Sequence, residues 1–469
     1  MGPTVEAISG FLYGSILSVL LLGAGLYFTI RLRLIQVRHF PYMFKVLAGS
    51  RRADRKHVSS FQALATSLAA RVGTGNLAGV AIAIAMGGPG AILWMWIVAF
   101  LGMTSSFVES TLAQVFKVTD PDGGYRGGPA YYMERALGAR WMGVLFSLSL
   151  IMTFGLIFTS VQANTIAHAF HESFSFSRQF TGGVLLIMTA LVIFGGVLAV
   201  SRFAEVVVPF MAVFYLALAL FVVLRNLSEI PAVISLIVSS AFGFEQVVAG
   251  GVGYSVKQAM SNGIRRGLFS NEAGIGSAPN AAATAEPYPP HPASQGYVQM
   301  LGVFVDTIVI CSCTAAIILL SGQFHPNSEV AGIQLTQQAL SSQVGDWGGI
   351  FVAIAVLLFA FTSIVANYSY AETNLLFLVR SKTAIRVLQA AVLGMVMFGA
   401  LADLPIVWAM ADLAMASMAF LNIIAILLLS PIAIAVAADY NRQLAEKRLP
   451  TFDPARIPGL KDKIAPGIW

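Results

Sequence analysis

Long apolar stretches alternate with short polar segments along almost the whole chain. Because about 20 apolar residues are needed to cross a bilayer as a helix, the pattern predicts eleven membrane-spanning helices. Their approximate bounds are 9–30, 59–87, 90–116, 141–167, 181–200, 203–224, 230–256, 295–321, 347–379, 383–401 and 404–437. The alternation therefore predicts an all-α polytopic membrane protein surrounded by a lipid bilayer.

The composition agrees with this prediction. Of the 469 residues, 57% are hydrophobic and only 11% are charged. A net charge of +6 would suggest nucleic-acid binding in a soluble chain, but here the basic residues fall in short loops that set helix orientation. We therefore expect no nucleic-acid partner. Cys311 and Cys313 share one apolar span, so we expect inert core thiols rather than a disulfide or a metal site.

The loop charges predict an orientation. With the N-terminus outside, 25 of the 28 basic residues fall on the inner side, chiefly in 31–56, 117–140, 257–266 and 442–463. Basic loops stay in the cytoplasm. We therefore expect a plasma-membrane protein, in a bacterium the inner membrane, with an external N-terminus and a cytoplasmic C-terminus.

Glycine-rich stretches interrupt two of the spans at mid-depth. The first interruption covers 71–76, and the second covers 241–245 and 250–253. The backbone groups freed there would be unpaired in lipid, so such interruptions line a cavity or an ion site. Two interrupted spans in corresponding halves of a chain are typical of secondary transporters.

The positions of the interruptions predict a repeat. When the first span is set aside, the interrupted spans begin two groups of five, and because five is odd the second group is inserted with opposite orientation. This predicts a 5+5 inverted repeat with discontinuous first helices and a binding site near the midplane. The predicted units are an N-terminal extra helix with a basic loop (1–57), the first repeat (58–226), the second repeat (227–440) and a cytoplasmic tail (441–469).

Four motifs carry a resemblance to a known family. In chain order they are 71–81, 127–133, 266–279 and 359–364, and they are similar to motifs of the alanine or glycine:cation symporter family. The resemblance extends over nearly the whole chain. It implies the leucine-transporter type of fold and Na⁺-coupled import of a small neutral amino acid, alanine and/or glycine.

The first interruption contains residue types suited to both ligands. Gly73 and Gly75 let the backbone leave helical geometry, so that carbonyls can meet a cation and N–H groups a carboxylate. Thr74 and Gly75 are therefore candidate substrate-binding residues, unless the glycines serve only close helix packing. The resemblance implies that the side-chain oxygen of Asn76 ligates a Na⁺ that also touches the substrate carboxylate.

The resemblance also implies a second Na⁺ site. The carbonyl oxygens of Ala69 and Val72 and the hydroxyls of Thr362 and Ser363 would form it. The alternative for the two hydroxyls is hydrogen bonding to the preceding turn of their own helix, which is common in membrane helices.

Four further residues are candidates for the substrate pocket. Gln162 is a buried amide in an apolar span, and Phe158 precedes it by one helical turn. Asn367 follows Ser363 by one turn, at a position where many family members carry an aromatic residue, and Phe242 lies in the second interruption. The alternatives are an interhelical hydrogen bond for Gln162 and simple core packing for Phe158.

Four charged residues lie deep in apolar spans, where ionisable groups mark functional sites by default. Asp306 either ligates Na⁺ or neutralises Arg71. Glu245 is positioned for a substrate ammonium or a proton, whereas Glu109 either reaches the inner interface or pairs with Arg71. Arg71 itself could close an inner gate.

An ion channel, an enzyme and a proton-coupled transporter are the alternatives to a Na⁺-coupled symporter. An ion channel normally builds its filter by oligomeric symmetry, which two different interruptions in one chain disfavour. An enzyme needs a catalytic constellation at one depth, whereas every histidine lies in a loop or at a span end, and His168-x-x-His171-Glu172 lacks further metal ligands. Proton coupling and a serine substrate stay open alternatives.

Overall fold

The computed structural model describes residues 16–50, 58–120, 123–194, 196–243, 255–325 and 332–469. The helices of the first half are α1 (Ser18–Arg31), α2 (Ile35–Arg38), α3 (Phe40–Gly49), α4 (Ser60–Arg71), α5 (Val80–Gly87), α6 (Ala91–Val115), α7 (Pro129–Leu137), α8 (Arg140–Leu150), α9 (Thr159–Phe174), α10 (Arg178–Ile193) and α11 (Gly196–Arg225). Those of the second half are α12 (Ile230–Ala241), α13 (Val256–Asn271), α14 (Ala278–Thr284), α15 (Pro292–Val303), α16 (Ser312–Leu320), α17 (Ile333–Val344), α18 (Trp347–Leu378), α19 (Lys382–Leu401), α20 (Leu404–Leu428) and α21 (Ser430–Ala445).

Shorter elements connect these helices. Three wider, π-helical segments are Gly75–Gly79, Ile151–Phe158 and Phe304–Cys311, and three 3₁₀ turns are Leu227–Glu229, Pro454–Arg456 and Lys461–Lys463. Four two-residue strands, β1 (Val58–Ser59), β2 (Val118–Thr119), β3 (Tyr125–Arg126) and β4 (Ala285–Glu286), form a parallel β1–β4 pair and an antiparallel β2–β3 pair. π-Helical turns within helices frequently lie at functional sites.

The described residues contain six helices that are long and apolar enough to cross a membrane, or up to eight spans when each of two bent helix pairs counts as one. α1 and α10 are shorter apolar helices. The prediction of an all-α membrane protein is therefore confirmed. The count of eleven crossings and the inverted repeat stay predictions.

The first interruption lies where the glycines predict it. α4 begins with a capping box, in which Ser59 and Gln62 bind each other's backbone N–H groups, and ends at Arg71. The π-helical segment Gly75–Gly79 and α5 then continue the span, bent by 50° from α4. The bend separates two half-helices whose ends meet inside the protein.

The interrupted helix that faces this bend lies at a different place from the predicted one. α13 ends at Asn271, and α14 begins only at Ala278. Between them Glu272, Gly274 and Gly276 have positive φ angles of 56°, 83° and 89°, which end regular helical geometry and favour glycine at two of the three positions.

Of the predicted second interruption at 241–245 and 250–253, only residues 241–243 lie within the described part of the chain. α12 ends at Ala241, and the next side chain, Phe242, is 48% exposed. Glu245 and the glycines at 250–253 lie outside the described residues. Hydropathy favoured the stretch 230–256 over α13 as a membrane span, because α13 carries the charged residue Arg266. In the structure, however, Arg266 is buried and forms a 2.6 Å ion pair with Asp412.

The positions of α13 and α14 change the predicted distribution of basic residues between the two sides of the membrane. Asn262 of α13 donates to the carbonyl of Met86 at 3.3 Å, whereas β4, which follows α14, pairs with β1 ahead of α4, so that Val58 faces Ala285. α13 therefore begins at the end of the bundle opposite β1. Residues 257–266 do not belong with the basic loops on the β1 side, where the count had placed them.

The β1 end of the bundle, named here the basic end, is closed by polar contacts. The ammonium of Lys117 and the amide of Gln114 both donate to the carbonyl of Ala285 at 2.9 Å. The indole N–H of Trp469 donates to the carbonyl of Gln114 at 3.2 Å, and Lys117 lies 4.9 Å from the Trp469 ring centroid. Burial lowers the pKa of Lys117 to about 7. The tail thus packs over the ends of both interrupted helices.

Candidate functional site

Asp306 is the centre of a buried polar cluster between the two interrupted helices. Its carboxylate accepts hydrogen bonds from the amide of Asn76 at 2.8 Å, the hydroxyl of Ser270 at 2.8 Å and the hydroxyl of Thr307 at 2.7 Å. All four side chains are fully buried. One carboxylate therefore connects the first interruption, α13 and the π-helical segment Phe304–Cys311.

Asn76 bridges the interruption to this carboxylate. Its side-chain oxygen accepts from the N–H of Gly73 at 3.0 Å, while its amide nitrogen also donates to the carbonyl of Asp306 at 3.2 Å. The structure thus brings together two of the predicted Na⁺ ligands, Asn76 and Asp306. Thr307, the neighbour of Asp306, adds a hydroxyl oxygen, and Ser270 adds another that the sequence did not predict.

Gln162 and Ser363 approach the other side of the same interruption. The side-chain oxygen of Gln162 accepts from the N–H of Thr74 at 3.0 Å. A Cβ placed on Gly73 would lie 2.9 Å from that oxygen and closer still to the Ser363 hydroxyl. Gly73 is therefore required for this three-way approach, and Gln162 contacts the predicted substrate-binding segment directly.

The predicted second cation site is partly assembled. The hydroxyl of Ser363 donates to the carbonyl of Ala69 at 2.8 Å and to the carbonyl of Phe359 at 3.0 Å. Thr362 donates to Phe359 at 2.8 Å, which is the bond within its own helix that the alternative predicted. Val72 directly follows the last residue of α4 as its C-cap.

An aromatic wall borders the pocket. The ring of Phe158 lies 4.5 Å from that of Phe269, which lies 4.7 Å from Trp408. The guanidinium of Arg266 lies 4.6 Å from the centroid of Trp408 and holds it in place. Phe269 belongs to the motif 266–279, which carried the resemblance, whereas Trp408 had no sequence signal.

Three of the four deep charges, Arg71, Glu109 and Asp306, lie within the described residues. Arg71 donates to the carbonyl of Gln299 and the hydroxyl of Ser106, both at 3.3 Å, and within the described residues it forms no ion pair with a carboxylate. The Asp306 carboxylate is thus committed to Asn76 rather than to Arg71. Glu109 is fully buried and accepts from the N–H of Gly274 at 3.2 Å, so it supports the second interruption instead of reaching the inner interface.

The site can perform a limited chemistry. A carboxylate, an amide and two hydroxyls offer oxygen ligands to a hard cation, and backbone N–H groups at the start of a half-helix attract a carboxylate. The part of the chain that the structure describes contains no group of three or more His, Cys, Asp or Glu side chains arranged for a metal ion.

Two interrupted helices that meet around buried oxygen ligands define a secondary transporter. The chain belongs to the sodium:alanine symporter family, whose profile matches residues 2–454. Family membership confirms the predictions of a multi-pass membrane transporter and of amino-acid symport, and it identifies the chain as a transporter rather than an enzyme.

The similarity to individual relatives covers nearly full lengths. The chain is 51% identical to the amino-acid carrier protein AlsT of Bacillus subtilis over 94% of this chain and 93% of that protein. It is 49% identical to the probable sodium/glutamine symporter GlnT of the same organism, over 96% and 92%. It is 38% identical to the sodium/alanine symporter AgcS of Methanococcus maripaludis, over 93% and 96%.

Proposed function

We propose that the protein imports a small neutral amino acid, alanine and/or glycine, together with Na⁺, by alternating access across the plasma membrane. The observation that carries this proposal is the hydrogen bond between Asn76 and Asp306, because it places an oxygen-rich cluster directly beside the interrupted backbone. Two relatives have names that include both sodium and alanine, and these names support the choice of ion and substrate.

The proposal assigns the substrate to the first interruption. Its carboxylate would meet the N–H groups of Thr74 and Gly75, and the Gln162 amide that now accepts from Thr74 would turn to donate to that carboxylate. One Na⁺ would bind between Asn76 and Asp306. A second Na⁺ would bind the carbonyl oxygens of Ala69 and Val72 and the hydroxyls of Thr362 and Ser363.

The proposal also assigns the sides of the membrane. The basic end, with Lys117 and the tail 446–469, would face the cytoplasm, because basic segments are retained there. Contacts at this end hold the inner halves of both interrupted helices together, which describes a state closed toward the cytoplasm. Rocking of one helix group against the other would open this end in the next state.

The experiment is uptake of labelled alanine into liposomes that contain the purified protein. An inward Na⁺ gradient should drive accumulation, and replacement of Na⁺ by choline should abolish it. Equal uptake in choline would contradict Na⁺ coupling. Accumulation driven by a proton gradient alone would instead support the proton-coupled alternative. A 42% identical relative from Bacillus subtilis is named a putative sodium/proton-dependent alanine carrier protein.

Substitution of Gln162 tests the substrate contact. Gln162→Ala should raise the KM for alanine by about 10-fold, because hydrogen bonds to charged groups contribute roughly 1.5 kcal/mol or more. The control is Asn164→Ala, which removes amide bonds to the carbonyls of Gly399 and Ala402 across a helix interface. That variant should lower thermal stability without raising KM. A normal KM in Gln162→Ala would reduce Gln162 to an interhelical contact.

The aromatic wall predicts the size limit of the substrate. Phe158, Phe269 and Trp408 pack ring against ring, so the pocket should admit little beyond a methyl side chain. Excess alanine or glycine should compete with labelled alanine, whereas leucine should not. Phe269→Ala should allow leucine to compete. Competition by leucine in the unmodified protein would show that the wall does not limit substrate size.

A further inference from the structure

Asn367 is a fully buried amide without a hydrogen-bond partner. Neither its side-chain oxygen nor its nitrogen finds a partner in the structure. Leaving a buried polar group unpaired costs about 1–3 kcal/mol, and the cost is paid here twice in one side chain. Such an amide has both a donor and an acceptor available for a polar group that enters the site.

The position of Asn367 follows from the packing of α9 against α18. Ser363 and Gln162 both adjoin Gly73, while one turn beyond Asn367 the ring of Tyr370 lies 5.9 Å from that of Phe154. The two helices therefore run antiparallel. Because residues four apart share a helix face, Asn367 lies at the level of Phe158. This level is between the substrate-binding segment and the contact of Tyr370 with Phe154.

Two neighbouring polar atoms are also unpartnered. The hydroxyl of Tyr370 and the amide nitrogen of Asn271 are buried without a hydrogen bond. Tyr370 follows Asn367 by three residues on α18, and Asn271 directly follows Ser270, whose hydroxyl binds the Asp306 carboxylate.

We propose that Asn367 is a specificity-determining residue, whose amide binds a hydroxyl group on the β-carbon of the substrate. This inference rests on the proposed amino-acid symport and extends it from alanine to a serine-class side chain. A hydroxyl can accept from the amide nitrogen and donate to the amide oxygen, so one small group satisfies both atoms. An aliphatic side chain of equal size would leave both unpaired.

The test compares serine with 2-aminobutyrate, which replaces the hydroxyl by a methyl of similar size. Binding is measured by titration calorimetry on the purified protein in detergent with Na⁺. The unmodified protein should bind serine about tenfold more tightly than 2-aminobutyrate. Asn367→Leu, which keeps the side-chain shape, should abolish or reverse this preference.

The outcomes separate this inference from the proposed function. Alanine binding with equal affinities for serine and 2-aminobutyrate would overturn the inference alone, as would a preference that persists in Asn367→Leu. Absence of alanine binding would overturn the proposed function and the inference with it. The control Asn262→Leu changes an exposed amide and should keep the serine preference. If Asn367→Leu does not fold, the comparison in the unmodified protein still decides.

Discussion

Asn76→Ala is expected to weaken Na⁺ binding and amino-acid binding together, each by about 10- to 100-fold. The side chain binds the N–H of Gly73 within the interruption and the carboxylate of Asp306 across the site. Loss of a group that orients metal ligands typically costs this much affinity. Because linkage between two sites is reciprocal in binding free energy, damage to a shared ion must appear in both titrations.

The measurement is amino-acid affinity in detergent over a series of Na⁺ concentrations, with choline as the replacement cation. Thr362→Ala and Ser363→Ala should weaken mainly Na⁺ binding, since neither hydroxyl contacts the Asp306 cluster. Asn262→Ala, on an exposed amide, serves as the control. If Asn76→Ala shifted the Na⁺ dependence without changing amino-acid affinity at saturating Na⁺, the ion and the substrate would not share this residue.

Gly73→Ala should abolish most transport while leaving the fold intact. The added methyl would collide with the side-chain ends of Gln162 and Ser363, which can move, rather than with backbone. Overpacking of this kind costs about 1–3 kcal/mol, which corresponds to about a 10- to 100-fold loss of affinity. The displaced groups belong to both proposed ligand sites, so substrate and Na⁺ binding should suffer together.

Gly183→Ala is the matched control for this substitution, because a Cβ at Gly183 meets no atom within 4 Å. Both variants should elute as the unmodified protein does in size-exclusion chromatography. Only Gly73→Ala should lose uptake of labelled alanine. Normal uptake in that variant would mean that Gln162 and Ser363 can separate without cost to the site.

Local chemistry made the first interruption predictable from the sequence. Glycines at 73 and 75 beside Asn76 in an apolar span have few uses other than a break, and the structure bends the span there. The interruption between α13 and α14 was not predicted, because hydropathy measures the average of a window. α13 contains Lys257, Arg265 and Arg266, which lower that average, although Arg266 is neutralised by Asp412, more than a hundred residues away.

The partners within the site could be predicted only in part. Gln162 and Ser363 were identifiable as polar residues in apolar helices, and the structure brings both to Gly73. The partners of Asp306 were not identifiable, because Ser270 reaches it only through the packing of α13 against the segment Phe304–Cys311. Pair contacts of this kind depend on the relative rotation of two helices, which a single sequence does not specify. For the same reason Trp408 could not be recognised as part of the aromatic wall.

The pairing of β1 with β4 allows opening of the basic end to be measured directly. Val58 and Ala285 lie at the basic ends of the two interrupted helices, and their strands cannot stay paired once those ends separate. Backbone amides in these segments should therefore exchange hydrogen for deuterium only during the fraction of time that the basic end is open. Mass spectrometry of these two peptides would then report that open fraction without an attached probe, in each combination of ion and amino acid.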